Sequence, residues 1–374
     1  SSDDGHVSGI SKDDRLMFIE NLARMRQISL ESQWHDSDDV VGWFELERFA
    51  NGLRLFKNDR LLIDYTDMLQ LFLDRGRAPK LDVMFVDEAQ DLSPLQWAVV
   101  RKLCESADRI YIAGDDDQAI YRWAGADVDY LIRNSKDAMV LKQSYRIPKS
   151  IHTLAERCIG QVASRVQKTW NPRKEAGHVS WEKSYESIDM ESGDWLVLAR
   201  TNYLLNGIEE HCRSEGWFYK TKNRNSVSEK KVKAVRDWET LRKGGEILLV
   251  DLIKVLNYMR VSVPTSLERN DFDSNISFEE AQSYLPDLKQ EYWYDLFDGI
   301  SVSERSYIRA MLRRGEKITK EPRIKLSTIH AAKGGEAENV ILLTDISNRI
   351  YKSYQANPDD ESRVFYVGLT RAKQ

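Results

Sequence analysis

A chain of 374 residues is long enough for two or three domains with sizeable cores. With 41% hydrophobic and 31% charged residues it reads as globular and soluble, and a net charge of -5 neither advertises nor excludes a nucleic-acid surface, because a local basic groove matters more than the total. The scattered Cys104, Cys158 and Cys212 exclude a disulfide framework and a zinc cluster and point to a reducing cytosol, while no apolar run could span a bilayer and no signal-peptide pattern opens the chain.

The opening SSDDGHVSGISKDD is polar and predicts a loop. Arg15 to Ile28 predicts an amphipathic helix, with Leu16, Ile19, Leu22, Ala23 and Arg26 at helical spacing. Val40 to Leu55 and Asp64 to Leu73 predict two more helices, and packing explains their residues. Lys57, Arg60 and Arg75 are basic enough to touch phosphates, although exposed cations usually just solvate a face.

The next stretch organises the chain: LDVMFVDEAQDLSPLQWAVVRKLCESADRIYIAGDDDQAIYRWAGA, from Leu81 to Ala126. Val83 to Val86 and Arg109 to Ala113 have the length and composition of buried strands. Between them Leu95 to Cys104 predicts a helix, with Ser93 as N-cap and Pro94 at its first position. Strand, helix and strand at this spacing form a βαβ unit of a parallel sheet. Both strands end in acids, Asp87-Glu88 and Asp115-Asp116-Asp117, where ligands of open α/β sheets bind. Acids there suit a magnesium–nucleotide site, because Mg²⁺ is commonly held by one or two carboxylates plus substrate phosphates. Asp87 is then the metal ligand and Glu88 the acid placed to handle a water.

DEAQD followed by GDDDQAIYRWAGA resembles motifs II and III of the UvrD/Rep family of superfamily 1 DNA helicases. The upstream Asp64 to Leu69 extends the match. By this resemblance Gln118 couples the nucleotide to the DNA site, its amide being able to donate and accept at a γ-phosphate or its attacking water. Trp123 matches the aromatic that stacks on a DNA base, with Tyr121 beside it, and such stacking tolerates any sequence. The alternative for Trp123 is a core position. The family usually has Arg or Lys where this chain has Ala124.

Further along, Met139 to Leu141 predicts a strand leading into QSYR, and Pro148 starts a helix through Ile151, Leu154, Ala155 and Cys158. QSYR resembles motif IV, which implies that Tyr145 stacks on adenine and Arg146 reaches the γ-phosphate like an arginine finger. Trp195 to Ala199 predicts a strand, Leu204 to Glu215 a helix ending near Gly216, and Trp217 to Lys220 a short strand. KTKNRNSVSEKK predicts a loop or domain junction. From Lys231 to Thr319 the pattern is helical: Lys231 to Arg242, Ile247 to Met259, Phe278 to Tyr284 and Val302 to Arg313, with a loop at Asn270 to Ser274. The family carries an insertion at this point, here in reduced form. RSYIRAMLRR is a basic helix that fits either DNA phosphates or solvent.

IKLSTIHAAKGGEAENVILLTD, with strands at Ile324 to Ser327 and Asn339 to Thr344, resembles motif V. Thr328, His330, Lys333, Gly334 and Glu336 match, whereas Gly335 and Ala337 replace the common Leu and Phe. The resemblance puts Thr328 and His330 near the DNA backbone, lets Gly334 approach nucleotide or DNA closely, and has Glu336 reach the nucleotide sugar. DESRVFYVGLTRAKQ resembles motif VI and makes Arg371 a second arginine at the γ-phosphate.

The resemblance implies an α/β protein with two RecA-like (P-loop NTPase-type) parallel-sheet domains, the first incomplete, and helical insertions. Its expected segments are 1–80, a helical lead-in to motif II; 81–138, the rest of the first RecA-like domain; 139–225, the first part of the second; 226–321, a mostly helical insertion; and 322–374, the last part of the second. The implied activity is ATP-dependent 3′–5′ movement on single-stranded DNA and unwinding at single-strand/duplex junctions, with ATP and Mg²⁺ as cofactors. Protein partners are not indicated, and no membrane is involved. The implied compartment is a bacterial cytoplasm, whether the protein is bacterial or of a phage in a bacterial host. No G-x-x-x-x-G-K-[ST] occurs, nor any Gly-Lys dipeptide, so the expectation is a fragment without the P-loop and inactive alone. The rival reading is a non-catalytic helicase-like DNA-binding or assembly module. A third keeps the motor within a helicase–nuclease complex, but no nuclease motif is visible.

Overall fold

The computed structural model describes residues 12–37, 41–222, 224–268, 271–318 and 320–373. The loop expected at the opening of the chain lies outside these residues up to Ser11, and its last three residues, Lys12 to Asp14, are already helical. Of the loop expected at Asn270 to Ser274, Asn270 lies outside and Asp271 to Ser274 form the turn before the next strand. Four helices come first: α1 Lys12–Arg26, α2 Leu30–His35, α3 Trp43–Arg60 and α4 Tyr65–Arg75. Asp64 starts α4 by closing a capping box with Asp67, each side chain accepting the other's backbone N–H. Then follow β1 Leu81–Val86, α5 Pro94–Cys104 and β2 Ala107–Ile112. Ser93 caps α5 in a box with Gln96, and Pro94 lies in its first turn as the sequence predicts. β1 and β2 run parallel, with Val83 opposite Arg109 and Val86 opposite Ile112.

The remaining elements are α6 Val128–Asn134, α7 Lys149–Ile159, β3 Trp195–Ala199, α8 Asn206–Glu215, β4 Tyr219–Lys220, α9 Glu229–Arg242, β5 Ile247–Leu248, α10 Leu249–Met259 and α11 Thr265–Glu268. After them come β6 Asn275–Ile276, α12 Phe278–Tyr284, α13 Trp293–Leu296, α14 Val302–Arg314, β7 Ile324–Thr328, β8 Asn339–Leu342, α15 Asn348–Ala356 and α16 Pro358–Leu369. Parallel sheets and many helices make this a mixed α/β protein of RecA-like type. Among the described residues no helix is long and apolar enough to cross a membrane.

The chain divides into two compact units. The first holds the residues up to Trp181, Leu198–Asn202 and the residues from Thr328 on. Its core lies under β1, where Val86, Ala89, Trp97 and Leu131 pack together. A second cluster joins Ala155 and Ile159 of α7 to Tyr366 of α16. Where β3 ends, Leu198 and Ala199 accept backbone N–H groups from Leu343 and Ile329, at 2.8 and 3.0 Å. Arg200 follows immediately and makes a buried two-pronged bond to Glu361 of α16, both contacts 2.7 Å. The other face of the β1–β2 pair is open: the Phe85 and Tyr111 rings stack 5.2 Å apart, yet Phe85 is 76% exposed.

The second unit, Glu182–Val197 and Tyr203–Ser327, is mainly helical. β4 lies parallel to β7, and Trp195 at the start of β3 donates its N–H to Arg323. Trp238 of α9 is fully buried and donates its indole N–H to the Glu291 carbonyl at 2.9 Å. The strand expected at Met139 to Leu141 does not form. A strand needs a ladder of partners, and pairing begins only at Gln143, bridged to Asn171; Met139 and Leu141 stand exposed. Pro148 likewise precedes α7 as its N-cap instead of opening the helix.

Candidate functional site

The loop leaving β1 is locked from its backbone upward. Ala113 donates its N–H to the Val86 carbonyl at 2.8 Å, and Ala89 donates back to Ala113 at 3.0 Å. Asp87 and Glu88 project from this clamp and are exposed. Asp87 Oδ1 accepts the Glu88 N–H at 2.9 Å. Glu88 itself has φ 52°, a left-handed conformation that a side chain adopts only at a cost of about 1–2 kcal/mol. Gln90, almost fully buried, ties the two strand ends together: its amide donates to the Glu88 carboxylate, and its carbonyl oxygen accepts the Asp115 N–H at 2.9 Å. A Cβ at Gly114 would approach that oxygen to 2.9 Å and push on the Gln90 amide that makes this crossing.

The acids after β2 have a different fate. Asp116 and Asp117 are buried, and Lys168 reaches all three carboxylates, at 2.8 Å for Asp115 and 3.1 Å for Asp117. Arg165 clasps Asp117 with two bonds of 2.9 and 2.6 Å, while buried Arg363 donates to the Asp116 carbonyl at 2.9 Å. Burial pushes the Asp117 carboxyl up. It would do the same for Asp115, but Lys168 and Gln118 outweigh it and hold Asp115 below the usual carboxylate range. The carboxylates of the second strand-end cluster are therefore engaged by protein cations. Among the described residues no group of three or more His, Cys, Asp or Glu could hold a metal alone. Asp87 and Glu88, exposed at the first strand end, fit a magnesium ion that brings its phosphates with it.

Gln118 connects this cluster to the end of the chain. Its amide donates to Asp115 at 2.7 Å, and its carbonyl oxygen accepts from Arg371 at 3.1 Å. Arg371 is 1% exposed and also donates to the carbonyls of Val367 and Gly335. Burial, then the like charge of Arg146, lowers its guanidinium to about 10, which leaves it protonated at neutral pH. Arg146 lies 3.8 Å from Glu336. Glu336 pairs with Lys373 at 2.7 Å, and that bond holds its carboxyl below the usual range. Tyr145 projects outward, 87% exposed. Gly334 has φ 84° and open space where a Cβ would be, so the turn itself demands glycine.

Tyr121 and Trp123, three and five residues beyond Gln118, build an aromatic surface with His330. The Trp123 ring meets His330 edge-on at 6.4 Å, and Tyr121 lies 6.2 Å from His330. Tyr121 donates its hydroxyl to the His330 carbonyl at 3.1 Å. Phe18 of α1 stacks on Trp123 with centroids 6.3 Å apart and planes 22° from parallel. His330 is buried, and so is Thr328, whose hydroxyl accepts the Ala331 N–H at 3.3 Å and shapes the turn after β7. Trp123 is half-buried.

Two family models match in order along the chain: the UvrD/REP helicase N-terminal domain over residues 26–139 and the UvrD-like helicase C-terminal domain over residues 297–374. The chain belongs to the UvrD/Rep helicase family. A similar protein, the probable DNA helicase II homolog of Rickettsia conorii, is 22% identical over 86% of this chain and 63% of its own length. The ATP-dependent DNA helicase PcrA of Bacillus subtilis is 28% identical over 51% of this chain and 26% of its own. The ATP-dependent DNA helicase srs2 of Schizosaccharomyces pombe is 23% identical over 96% and 52%. The chain thus spans less than two thirds of the length of each of these three.

Within this UvrD/Rep chain the first unit brings together residues of motifs II, III, IV, V and VI. Sequence reasoning missed Gln90, Lys168 and Phe18. Gln90 lies inside the DEAQD motif, between Ala89 and Asp91, where its burial is not marked by any local pattern. Nothing local marks Lys168 or Phe18, because their partners lie far away in sequence. At the departure Ala124, the nearby cation Arg122 is paired with Asp129 at 2.9 Å.

Proposed function

We propose that this chain is a fragment of an ATP-driven motor that moves 3′ to 5′ on single-stranded DNA and opens single-strand/duplex junctions. The observation that carries the reading is the Gln118 amide, bonded to Asp115 on one side and Arg371 on the other, three residues before Tyr121. One side chain thus senses the candidate γ-phosphate arginine, and its own loop presents the aromatic surface. Glu88 is the residue for the attacking water, and Asp87 would hold Mg²⁺, which neutralises phosphate charge when bound. Arg146 and Arg371 face the γ-phosphate, Tyr145 stacks on adenine, and Gly334 and Glu336 line the nucleotide side. Tyr121, Trp123, Thr328 and His330 serve the DNA, with bases stacking on the rings.

The 374 residues contain no phosphate-cradling G-x-x-x-x-G-K-[ST], and we assign that loop to polypeptide outside them, which leaves this stretch without ATPase activity alone. The open face of β1–β2 supports this, since parallel strands are ordinarily covered on both sides. The segments 1–80, 81–138, 139–225, 226–321 and 322–374 are our proposed division by function, and the cytoplasm the proposed site of action.

The test is single-stranded-DNA-stimulated ATPase activity of the full-length gene product, beside Glu88→Gln. Stimulated turnover abolished by that change is expected. A full-length wild type without stimulated turnover would reject the motor and leave a DNA-binding or assembly module.

A further inference from the structure

Lys333 belongs to the motif V stretch, yet neither composition nor motif gives it a task. Its side chain is 8% exposed, and a buried ammonium persists only where carboxylates and carbonyls repay its lost hydration. Nζ donates to Asp91 Oδ2 at 2.5 Å and to the Gln118 backbone carbonyl at 2.9 Å. A second acid, Glu88, stands 3.9 Å from the same nitrogen. The ammonium also sits over the Tyr121 ring, 5.0 Å from its centroid, where the π face attracts it. Finally, the His330 carbonyl accepts both the Lys333 backbone N–H, at 3.4 Å, and the Tyr121 hydroxyl, at 3.1 Å. One cation therefore touches the proposed catalytic loop, the sensor loop and the aromatic surface.

We propose that Lys333 is the positioning residue that couples nucleotide state to DNA grip, by sharing its charge between Asp91 and Glu88 while it holds Gln118 and Tyr121. This deepens the motor reading and rests on it. The asymmetry of the two acids is what makes coupling possible. Asp91 is held in direct contact, whereas Glu88 is exposed and within reach but unbonded to Lys333, so any ligand that reorients the Glu88 carboxylate changes the field at Nζ. Lys333 passes that change to the Gln118 carbonyl and the Tyr121 face through contacts already made. Coupling through a contiguous network of this kind is reciprocal: nucleotide must alter DNA affinity by the factor with which DNA alters nucleotide affinity.

The experiment measures the affinity of the full-length gene product for a fluorescent oligo-dT, with and without a non-hydrolysable ATP analogue, for wild type and Lys333→Met. The wild-type ratio of the two affinities is expected to lie in the range typical of coupled sites, about 5–150-fold. In Lys333→Met the ratio falls towards one, whatever the nucleotide-free affinity. A purely structural lysine would lower both affinities together and leave the ratio intact, which would overturn the proposal. A wild type with stimulated ATPase and an unchanged ratio in the variant rejects the coupling role alone; a wild type with neither stimulation nor coupling rejects the motor and this role with it. Should Lys333→Met fail to give a cooperative melt, Asp91→Asn, which keeps the shape and removes the anchoring charge, is read by the same criteria.

Discussion

Asp87-Glu88 and Asp115-Asp116-Asp117 stand at the carboxyl ends of two adjacent parallel strands, and along the sequence they look alike. In space they are opposites. The first pair is exposed, one member sits in a strained backbone conformation, and Glu88 is bonded to a neutral amide. In the second group Asp116 and Asp117 are buried under Lys168, Arg165 and Arg363, and Asp115, half-buried, is paired with Lys168 as well. An acid cluster becomes a site when its charge is left for a ligand to satisfy, and a brace when the protein satisfies it first. Strand-end position does not decide between them; at the second cluster the cations of residues 165–168, some fifty residues further along, do.

Exchanging the two roles should produce the largest effects. Glu88→Gln in the full-length gene product is expected to lower DNA-stimulated turnover by about 10²–10⁴-fold, the usual worth of a positioned acid or base. Its melting free energy should stay within about 0.5 kcal/mol, as for surface changes generally. An equal loss of turnover from Asp116→Asn, with stability kept, would break the comparison.

Lys168→Met is expected to do the converse. Leaving buried carboxylates without their cation costs about 3–5 kcal/mol, readable in urea melts. The sign with pH follows from Asp115, whose folded carboxyl is held below its ordinary value of 3.8. Its stabilisation is present above that value and lost as pH falls through the lowered one, so wild type and variant should converge in acid. A gap that stays constant down to about pH 3, below the usual carboxylate values, would remove the electrostatic account.

Much of the frame around these clusters was legible beforehand, and the illegible part, the contrast itself, has a physical cause. The βαβ unit was readable because its strands, its capping box at Ser93 and its Pro94 are local signals. The motifs were readable because the chemistry needs fixed residue types at fixed spacings. What could not be read was which acids would find a cation, since Lys168, Arg165 and Arg363 reach their partners only after folding. The absent strand at Met139 to Leu141 failed for a related reason: apolar, strand-forming residues are not enough without a neighbour to pair with. Phe18 lies off the apolar spacing read for its helix, and only its stack on Trp123 moves it to the site.

The aromatic surface sharpens the comparison at smaller magnitude, because the buried acids brace the loop that carries it. Trp123→Ala removes the ring without touching Lys168 or its acids. Affinity for oligo-dT should fall by about 1–3 kcal/mol, on the order of tenfold to a hundredfold, in fluorescence anisotropy. Lys168→Met should lower it too, but together with stability, whereas Trp123→Ala lowers binding with the acid brace intact. If Trp123→Ala leaves DNA affinity unchanged, the ring is core packing and the brace serves only the fold.

The smallest effect has the most telling sign. Glu88 sits at φ 52°, which glycine adopts freely and glutamate does not. Relief of the left-handed strain is worth about 1–2 kcal/mol, and the added flexibility of the unfolded chain takes back about 0.5–1 kcal/mol. Glu88→Gly should therefore raise stability by roughly 0–1.5 kcal/mol while removing the carboxylate that turnover needs. A gain, measured by urea denaturation, means that the fold holds Glu88 in place against local preference, as a residue kept for a ligand would be. A loss of more than about 1 kcal/mol would mean that the Gln90 bond to Glu88 supports the loop, and the exposed pair would then be a brace like its neighbour.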